Sequence, residues 1–354
     1  MYTIKFILAL LASIMLYKAS IRTLFDICEI ESCPYCFGTN LCSEFETRNI
    51  LLMSNSFLEF FSNYISVKNV FYGSYGNRSV VMKKLGHDFE LGKLSYESAV
   101  LNVSENRIID LLTSENVNFK LCSIGAAKKL LKAIGVYPDL NLINLWSILK
   151  INAEPIVIQL LRAEDDWPVP HYFGSCGRLI VENNAGFDLN TFASANWHIR
   201  SKLALQLLQA AKNFTNRHSD FRFYLTDVSP DNIAVDENLK VTFVDLENVI
   251  VAERNSELKV HHSQNFGDDF AFLESEICRS YISDHNYFSI CKLLLSKEAP
   301  WPMMKGGLLH SPPDDIKQNH SDLFMLIEAC SYIHISTIDC IDAIDKMILF
   351  LENL

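Results

Sequence analysis

The stretch YLTDVSPDNIAVDENLKVTFVDLENV, residues 224–249, sets Asp227, Asn232 and Asp245 at the edges of apolar, β-prone runs. Two carboxylates and an amide placed in this way suit either of two roles. They can cap the turns of a β-hairpin, Asp227 through a turn hydrogen bond and Asn232 through an Asx-turn. They can also hold a divalent cation and a phosphate chain, because such a cation takes hard oxygen donors. Phosphoryl transfer from ATP needs a cation on the α/β phosphates, a carboxylate near the acceptor hydroxyl, and a carboxylate with an amide oxygen for Mg²⁺. Asp227 would orient or deprotonate the acceptor. Asn232 and Asp245 would hold Mg²⁺ or Mn²⁺. Lys83, which ends the run SVVMK, would supply the phosphate-binding cation.

The spacing favours the second role. Asp227 and Asn232 are five apart, the interval of the kinase catalytic-loop pattern H-R-D-x-x-x-x-N. Asp245 follows thirteen residues later, after VTFV, where kinases commonly place a metal-binding Asp. SPDN resembles the KPEN form of that loop. Gly73 and Gly76, in GSYG, are candidates for phosphate contact, although glycine also serves any tight turn and GSYG matches a Gly-rich phosphate loop poorly. Lys84 competes with Lys83 for the cation role. Two acids compete to pair with Lys83. Glu154 stands shortly before VPHYFGSCG, where a kinase regulatory helix would run into its next strand, but Pro155 sets it at a helix start. Glu90 is only seven residues past Lys83. Glu154 is preferred.

These residues need elements to position them. NILLMSNSFLEFFSNYI reads as helix, and VKNVFYGSYGNRSVVMKKLG as a β-hairpin with Gly73 and Gly76 at its turn. From Glu90 to about Leu161 the pattern is mostly helical, with SENRIIDLL opening on a Ser cap. Pro155 suits a first helical turn. VPHYFGSCGRLIVENNAG reads as two short strands joined by GSCG, then a linker. NWHIRSKLALQLLQAAKNFTNRH carries a wide apolar stripe and is the strongest helix of the chain. Beyond Asp268 the pattern is helical again, closing on helices around Leu326 and Met347.

At 354 residues and 49% hydrophobic content, the chain can bury a large core over two lobes. A net charge of −11 argues against nucleic acid as a partner. In MYTIKFILALLASIMLYKAS, Lys5 precedes an apolar run from Phe6 to Tyr17. Its length suits a signal peptide better than a membrane span, with an uncleaved signal anchor as the rival and a buried core helix as the plain alternative. Ten cysteines are present, four of them in CEIESCPYCFGTNLC. In an oxidising compartment that cluster reads as local disulfides, and in the cytosol CPYC would suggest zinc or redox chemistry. Glycosylation sequons stand at Asn77, Asn102, Asn213 and Asn319.

The stretches CPYCFGTNLC, VVMKKLG, WPVPHYFGSCGRLIVEN, YLTDVSPDNIAV, FVDLENVIVA, DHNYFSICKLLLS and GGLLHSPP together resemble the divergent protein kinase domain family of the secretory pathway, in particular its deleted-in-autism branch. They cover most of the chain after about Cys33. The resemblance implies an α+β, bilobal protein-kinase-like fold, with a small strand-containing N-lobe and a mostly helical C-lobe. It also implies ATP and a divalent cation as cofactors, entry to the endoplasmic reticulum and Golgi lumen, and secretion. The expected division is a signal segment at 1–20, a Cys-rich segment at 21–60, an N-lobe with a helical insertion at 61–185 and a C-lobe at 186–354. The acceptor would be a hydroxyl on protein or glycan. The alternative is a pseudokinase acting as a binding module or ligand for a cell-surface receptor. Leu225 and Thr226 replace the His and Arg of an ordinary catalytic loop, and DLE replaces D-F-G. Without that Arg, a phosphorylated activation loop has no obvious partner there.

Overall fold

The computed structural model describes residues 24–32, 37–53, 70–86, 103–114, 119–134, 142–254, 261–262, 274–331 and 340–354. The signal segment, Cys33, Cys36, Glu90, Asn102 and most of NILLMSNSFLEFFSNYI lie outside them. In chain order the elements used below are α1 (Leu24–Cys28), α2 (Cys42–Glu46), β1 (Ile50–Leu52), β2 (Val70–Tyr75), β3 (Arg78–Lys84), α3 (Glu105–Leu112), β4 (Lys120–Leu121), α4 (Ile124–Ile134), α5 (Leu142–Ile151), α6 (Glu154–Leu160), β5 (Tyr172–Cys176), β6 (Leu179–Asn183), β7 (Phe187–Asp188), α7 (Trp197–Asn216), β8 (Phe221–Leu225), β9 (Ile233–Val235), β10 (Val241–Phe243), β11 (Val249–Glu253), α8 (Glu274–Cys278), α9 (His285–Ile290), α10 (Asp314–Asn319), α11 (Ser321–Ser331) and α12 (Cys340–Glu352). The fold is α+β. Contacts divide it into two compact units.

The first unit takes Met1–Glu105, Tyr137–Pro155 and His171–Asn184. Its frame is an antiparallel sheet in the order β1-β2-β3-β6-β5. The β2–β3 hairpin closes on Gly76 and Asn77, with Tyr75 opposite Arg78. Gly76 has φ +58°, the glycine-first pattern of two-residue hairpins. Gly73 lies inside β2 rather than in the turn. A Cβ there would stand 2.3 Å from the Leu51 carbonyl oxygen, so glycine is what lets β1 pair with β2. That pairing also corrects the helical reading of NILL, because Ile50–Leu52 is strand. One sheet face buries Phe71, Val80, Met82, Leu179 and Val181 against Ile27, Leu41 and Phe45 of the N-terminal segment.

The expectation of local disulfides within the Cys-rich cluster is corrected for Cys42. It pairs with Cys176, 134 residues on. The cause is backbone pairing: Phe37 N–H donates to Gly177 O at 2.9 Å and Leu41 N–H to Ser175 O at 3.0 Å. These bonds lay residues 37–41 along the β5–β6 turn, which is Gly177–Arg178 rather than GSCG.

The second unit takes Asn106–Val136, Ile156–Pro170 and Ala185–Leu354. The described residues among 106–136, grouped by sequence with the first lobe, fall in this unit, where β4 pairs in parallel with β11 and Cys122 bonds Cys278. The β4 pairing left no sequence signal. Asn196 caps α7, its side chain accepting from Ile199 N–H at 2.9 Å. Leu203, Leu207, Leu208 and Phe214 of α7 are fully buried. The opening stretch folds as β8, a turn, the β9–β10 hairpin and β11, and β11 lies antiparallel to β8. Asp236 closes the hairpin by accepting from Asn238 N–H and Lys240 N–H at 2.9 and 2.8 Å. Among the described residues, no helix is long and apolar enough to cross a membrane.

Candidate phosphoryl-transfer residues

Strand alternation decides between the two lysines. Val80 and Met82 of β3 point into the core, so Val81 and Lys83 take the opposite face. Lys84 returns to the core side and, with Arg178, pairs with Glu29. Burial pushes the Glu29 carboxyl up, but the Lys84 and Arg178 hydrogen bonds outweigh it and hold the group below the usual carboxylate range. Lys83 Nζ instead lies 2.7 Å from Glu154 Oε1 and 3.3 Å from Glu182 Oε2. Asn152 sets the start of α6 by accepting from Glu154 N–H at 2.9 Å. Glu154, the preferred of the two competing acids, thus reaches Lys83; Glu90 lies outside the described residues.

The glycines have reasons inside the sheet. A kinase carries its lysine on the third strand, with the glycine-rich loop joining the two strands before it. Here Lys83 is on β3, Gly76 turns β2 into β3, and Gly73 makes room for β1. Residues 54–69, between β1 and β2, lie outside the described residues.

In the second unit the three polar residues come together through backbone pairing. Pro230–Asn232 forms one 3₁₀ turn, and β9 starts at Ile233. Phe243 pairs with Ile233, and Val244 N–H donates to Asn232 O at 3.0 Å. Asp245 therefore leaves β10 beside Asn232. The Asn232 side-chain Nδ2 donates to the Asp227 backbone carbonyl at 3.3 Å. Asp227 and Asp245 are exposed, and Asn232 is half-buried. Asp245 has φ +66°, a left-handed conformation that Asp tolerates better than most residues.

Two groups that the sequence did not single out hold this loop. Asn286 is buried at the start of α9. Its Oδ1 accepts from Leu225 N–H at 2.9 Å, and its Nδ2 donates to Phe223 O and Thr215 Oγ1 at 2.8 and 2.9 Å. His285 Nε2 lies 2.8 Å from Leu225 O. The strand end before Asp227 is thus pinned on both backbone groups. Thr226, where a kinase has its Arg, donates to the Asn248 carbonyl and so ties the loop to the chain beyond Asp245. Asn286→Ala would strand one buried N–H and one buried carbonyl, and is expected to lower unfolding free energy by about 2–3 kcal/mol in urea denaturation. A loss below about 0.5 kcal/mol would show that other groups pin the strand.

A Lys–Glu ion pair on a third strand, with an Asp, Asn and Asp at this spacing on a loop and hairpin, is the equipment of a protein kinase. Residues 145–332 match the protein-kinase domain of FAM69. Human divergent protein kinase domain 2A is 30% identical over 355 aligned residues, covering 86% of this chain and 82% of its own. The chain belongs to the divergent protein kinase domain family. The Xenopus tropicalis divergent protein kinase domain 2A is 31% identical over 354 residues, 85% of this chain and 82% of its own. Human divergent protein kinase domain 2B is 25% identical over 186 residues, 51% of this chain and 41% of its own.

A divergent kinase of this family would need a divalent cation, and the donor set fits one. With the Asn232 nitrogen committed to the Asp227 carbonyl, the amide oxygen is the atom left to face a cation, and the Asp245 carboxylate would be the second donor. Both are hard oxygen donors of the kind Mg²⁺ and Mn²⁺ take. Among the described residues, no group of three or more His, Cys, Asp or Glu side chains forms a metal cage. A kinase site does not need one, because substrate phosphates and water complete the shell.

Proposed function

We propose that this chain is an atypical kinase of the secretory-pathway lumen that transfers the γ-phosphate of ATP to a hydroxyl acceptor on protein. The observation that carries this reading is the junction at Asn232. Its amide bonds the Asp227 carbonyl while its own carbonyl accepts from Val244, next to Asp245. Lys83 would neutralise the α/β phosphates. Asp227 would accept the proton as the acceptor oxygen bonds the γ-phosphorus and the bond to the ADP oxygen breaks. Asn232 and Asp245 would hold the Mg²⁺ or Mn²⁺ that offsets phosphate charge. Disulfides Cys42–Cys176, Cys122–Cys278 and Cys330–Cys340 support an oxidising compartment. Asn77 and Asn319 are exposed and suit glycan attachment, whereas the Asn213 sequon lies in α7 with Thr215 fully buried.

A second reading, a pseudokinase that serves as a secreted binding module, draws support from Gly73 and Gly76, which both serve the sheet. A thermal shift with ATP separates the two. Saturating ATP with Mg²⁺ or Mn²⁺ is expected to raise Tm by about 2–5 °C, by mass action on the native state. Asp245→Ala is expected to remove the metal-dependent part. No shift in the wild-type chain would overturn the nucleotide reading and leave the binding module.

A further inference from the structure

In a kinase the β3 lysine is held by one glutamate on a helix, and regulation acts by moving that helix. Among the described residues, Lys83 is held by two acids. Glu154 stands in the first turn of α6, and Glu182 on β6, the strand next to β3 in the sheet. The register sets Val81 opposite Glu182 and Lys83 opposite Ile180, so Glu182 shares a face with Lys83, one diagonal step away. Glu154 is 1% exposed, Glu182 2% and Lys83 14%.

We propose that Glu182 is a positioning residue that holds the Lys83 ammonium from within the sheet, so that the lysine stays placed whether or not Glu154 is in contact. The two acids differ in what could move them. Glu154 depends on the placement of a seven-residue helix. The Glu182 backbone is fixed relative to Lys83 by the β3–β6 ladder, which runs unbroken from Val80–Asn183 to Lys84–Leu179. Two carboxylates this close repel one another, and the arrangement is tolerable because the ammonium contacts both. The consequence for nucleotide binding rests on the reading of Lys83 as the phosphate-binding cation. The lysine would then be set permanently, and displacement of α6 would not switch it off. Thr226 in place of the loop Arg agrees, since it removes the usual partner of a phosphorylated activation loop.

The test is acylation of Lys83 by a small amine-reactive reagent in the nucleotide-free full chain, followed by peptide mass spectrometry. An ammonium held by either acid reacts slowly. Glu154→Gln and Glu182→Gln are each expected to raise the Lys83 rate by less than about threefold, and the double variant to exceed the product of the two by about threefold or more. Lys84, paired with Glu29, serves as the internal reference. Glu182→Asp, which keeps the charge, is expected to restore protection in the Glu154→Gln background. Should the double variant fail to fold, Glu154→Gln with Glu182→Asp against Glu154→Gln with Glu182→Ser gives the same comparison. The proposal is overturned if Glu182→Gln leaves the rate unchanged in the Glu154→Gln background, or if it alone reaches the double-variant rate. Acylation reads the clamp without nucleotide, so a missing ATP thermal shift would sink the kinase reading and leave this result standing. With a working site, the double variant is expected to lose more of the Mg²⁺–ATP shift than Glu154→Gln alone does.

Discussion

Replacing Asp227 with Ala is expected to lower phosphoryl transfer to acceptor by about 10²–10⁴-fold while leaving the Mg²⁺–ATP thermal shift in place. The separation follows from which atoms do what. The Asp227 carboxylate is exposed, and its backbone carbonyl is the group that Asn232 bonds. Removing the side chain therefore keeps the Asn232 bond, the Pro230–Asn232 turn and the Leu225 anchor on Asn286. Asn232, Asp245 and Lys83 retain their places, so nucleotide binding persists. The lost group is the one that would take the acceptor proton. Transfer of labelled phosphate by matched wild-type and variant protein measures the effect. Equal rates would move the acceptor role away from Asp227. Asp231, whose Oδ1 accepts from Asn190 Nδ2 at 2.8 Å, is the nearest carboxylate along the loop to examine next.

Removing the Cys122–Cys278 disulfide by paired Ser substitutions is expected to lower unfolding free energy by about 2–5 kcal/mol. The bridge joins residues 156 apart, and closing so long a loop restricts the unfolded chain strongly. In the same chain-entropy account the Cys330–Cys340 bridge, spanning 10 residues, contributes less, about 3 kcal/mol at most. The order of the two losses in denaturant titration is therefore part of the prediction. The larger effect also has an address. Cys122 N–H donates to Val251 O at 3.0 Å, and Cys122 and Cys278 pack on Tyr224, Ile250, Ala252 and Ile277. Tyr224 is on β8, which leads to Asp227, and Ile250 is on β11, which follows Asp245. Amide exchange of Val249–Glu253 should accelerate in the Ser pair more than exchange in α12. Uniform acceleration across the unit would show that the bridge acts through the unfolded state alone.

The hairpin question raised by residues 224–249 has a double answer. The stretch does contain a hairpin, β9–β10, and its turn is closed by Asp236. Asp227, Asn232 and Asp245 lie outside that turn, at the other end of the hairpin. They were legible because their spacing is short, and strand pairing within some twenty residues is enough to gather them. Lys83 was legible as a strand end. Its separation from Lys84 came from alternation, which a sequence shows only once the core face is known.

The sequence by itself determined the kinase-like loop, the long α7 helix, the β2–β3 hairpin and the family resemblance. Each rests on local periodicity or on intervals short enough for neighbouring residues to dictate. Tertiary structure alone decided that Glu182 joins Glu154 on Lys83, which cysteine meets Cys42, and that β4 pairs with β11. Glu154 is 71 residues from Lys83, and Cys176 is 134 from Cys42. Glu182 carries no sequence mark, because its role depends on β6 lying beside β3 in one register. Contacts of that range are fixed by sheet order and core burial, which belong to the whole fold and not to any one stretch of it.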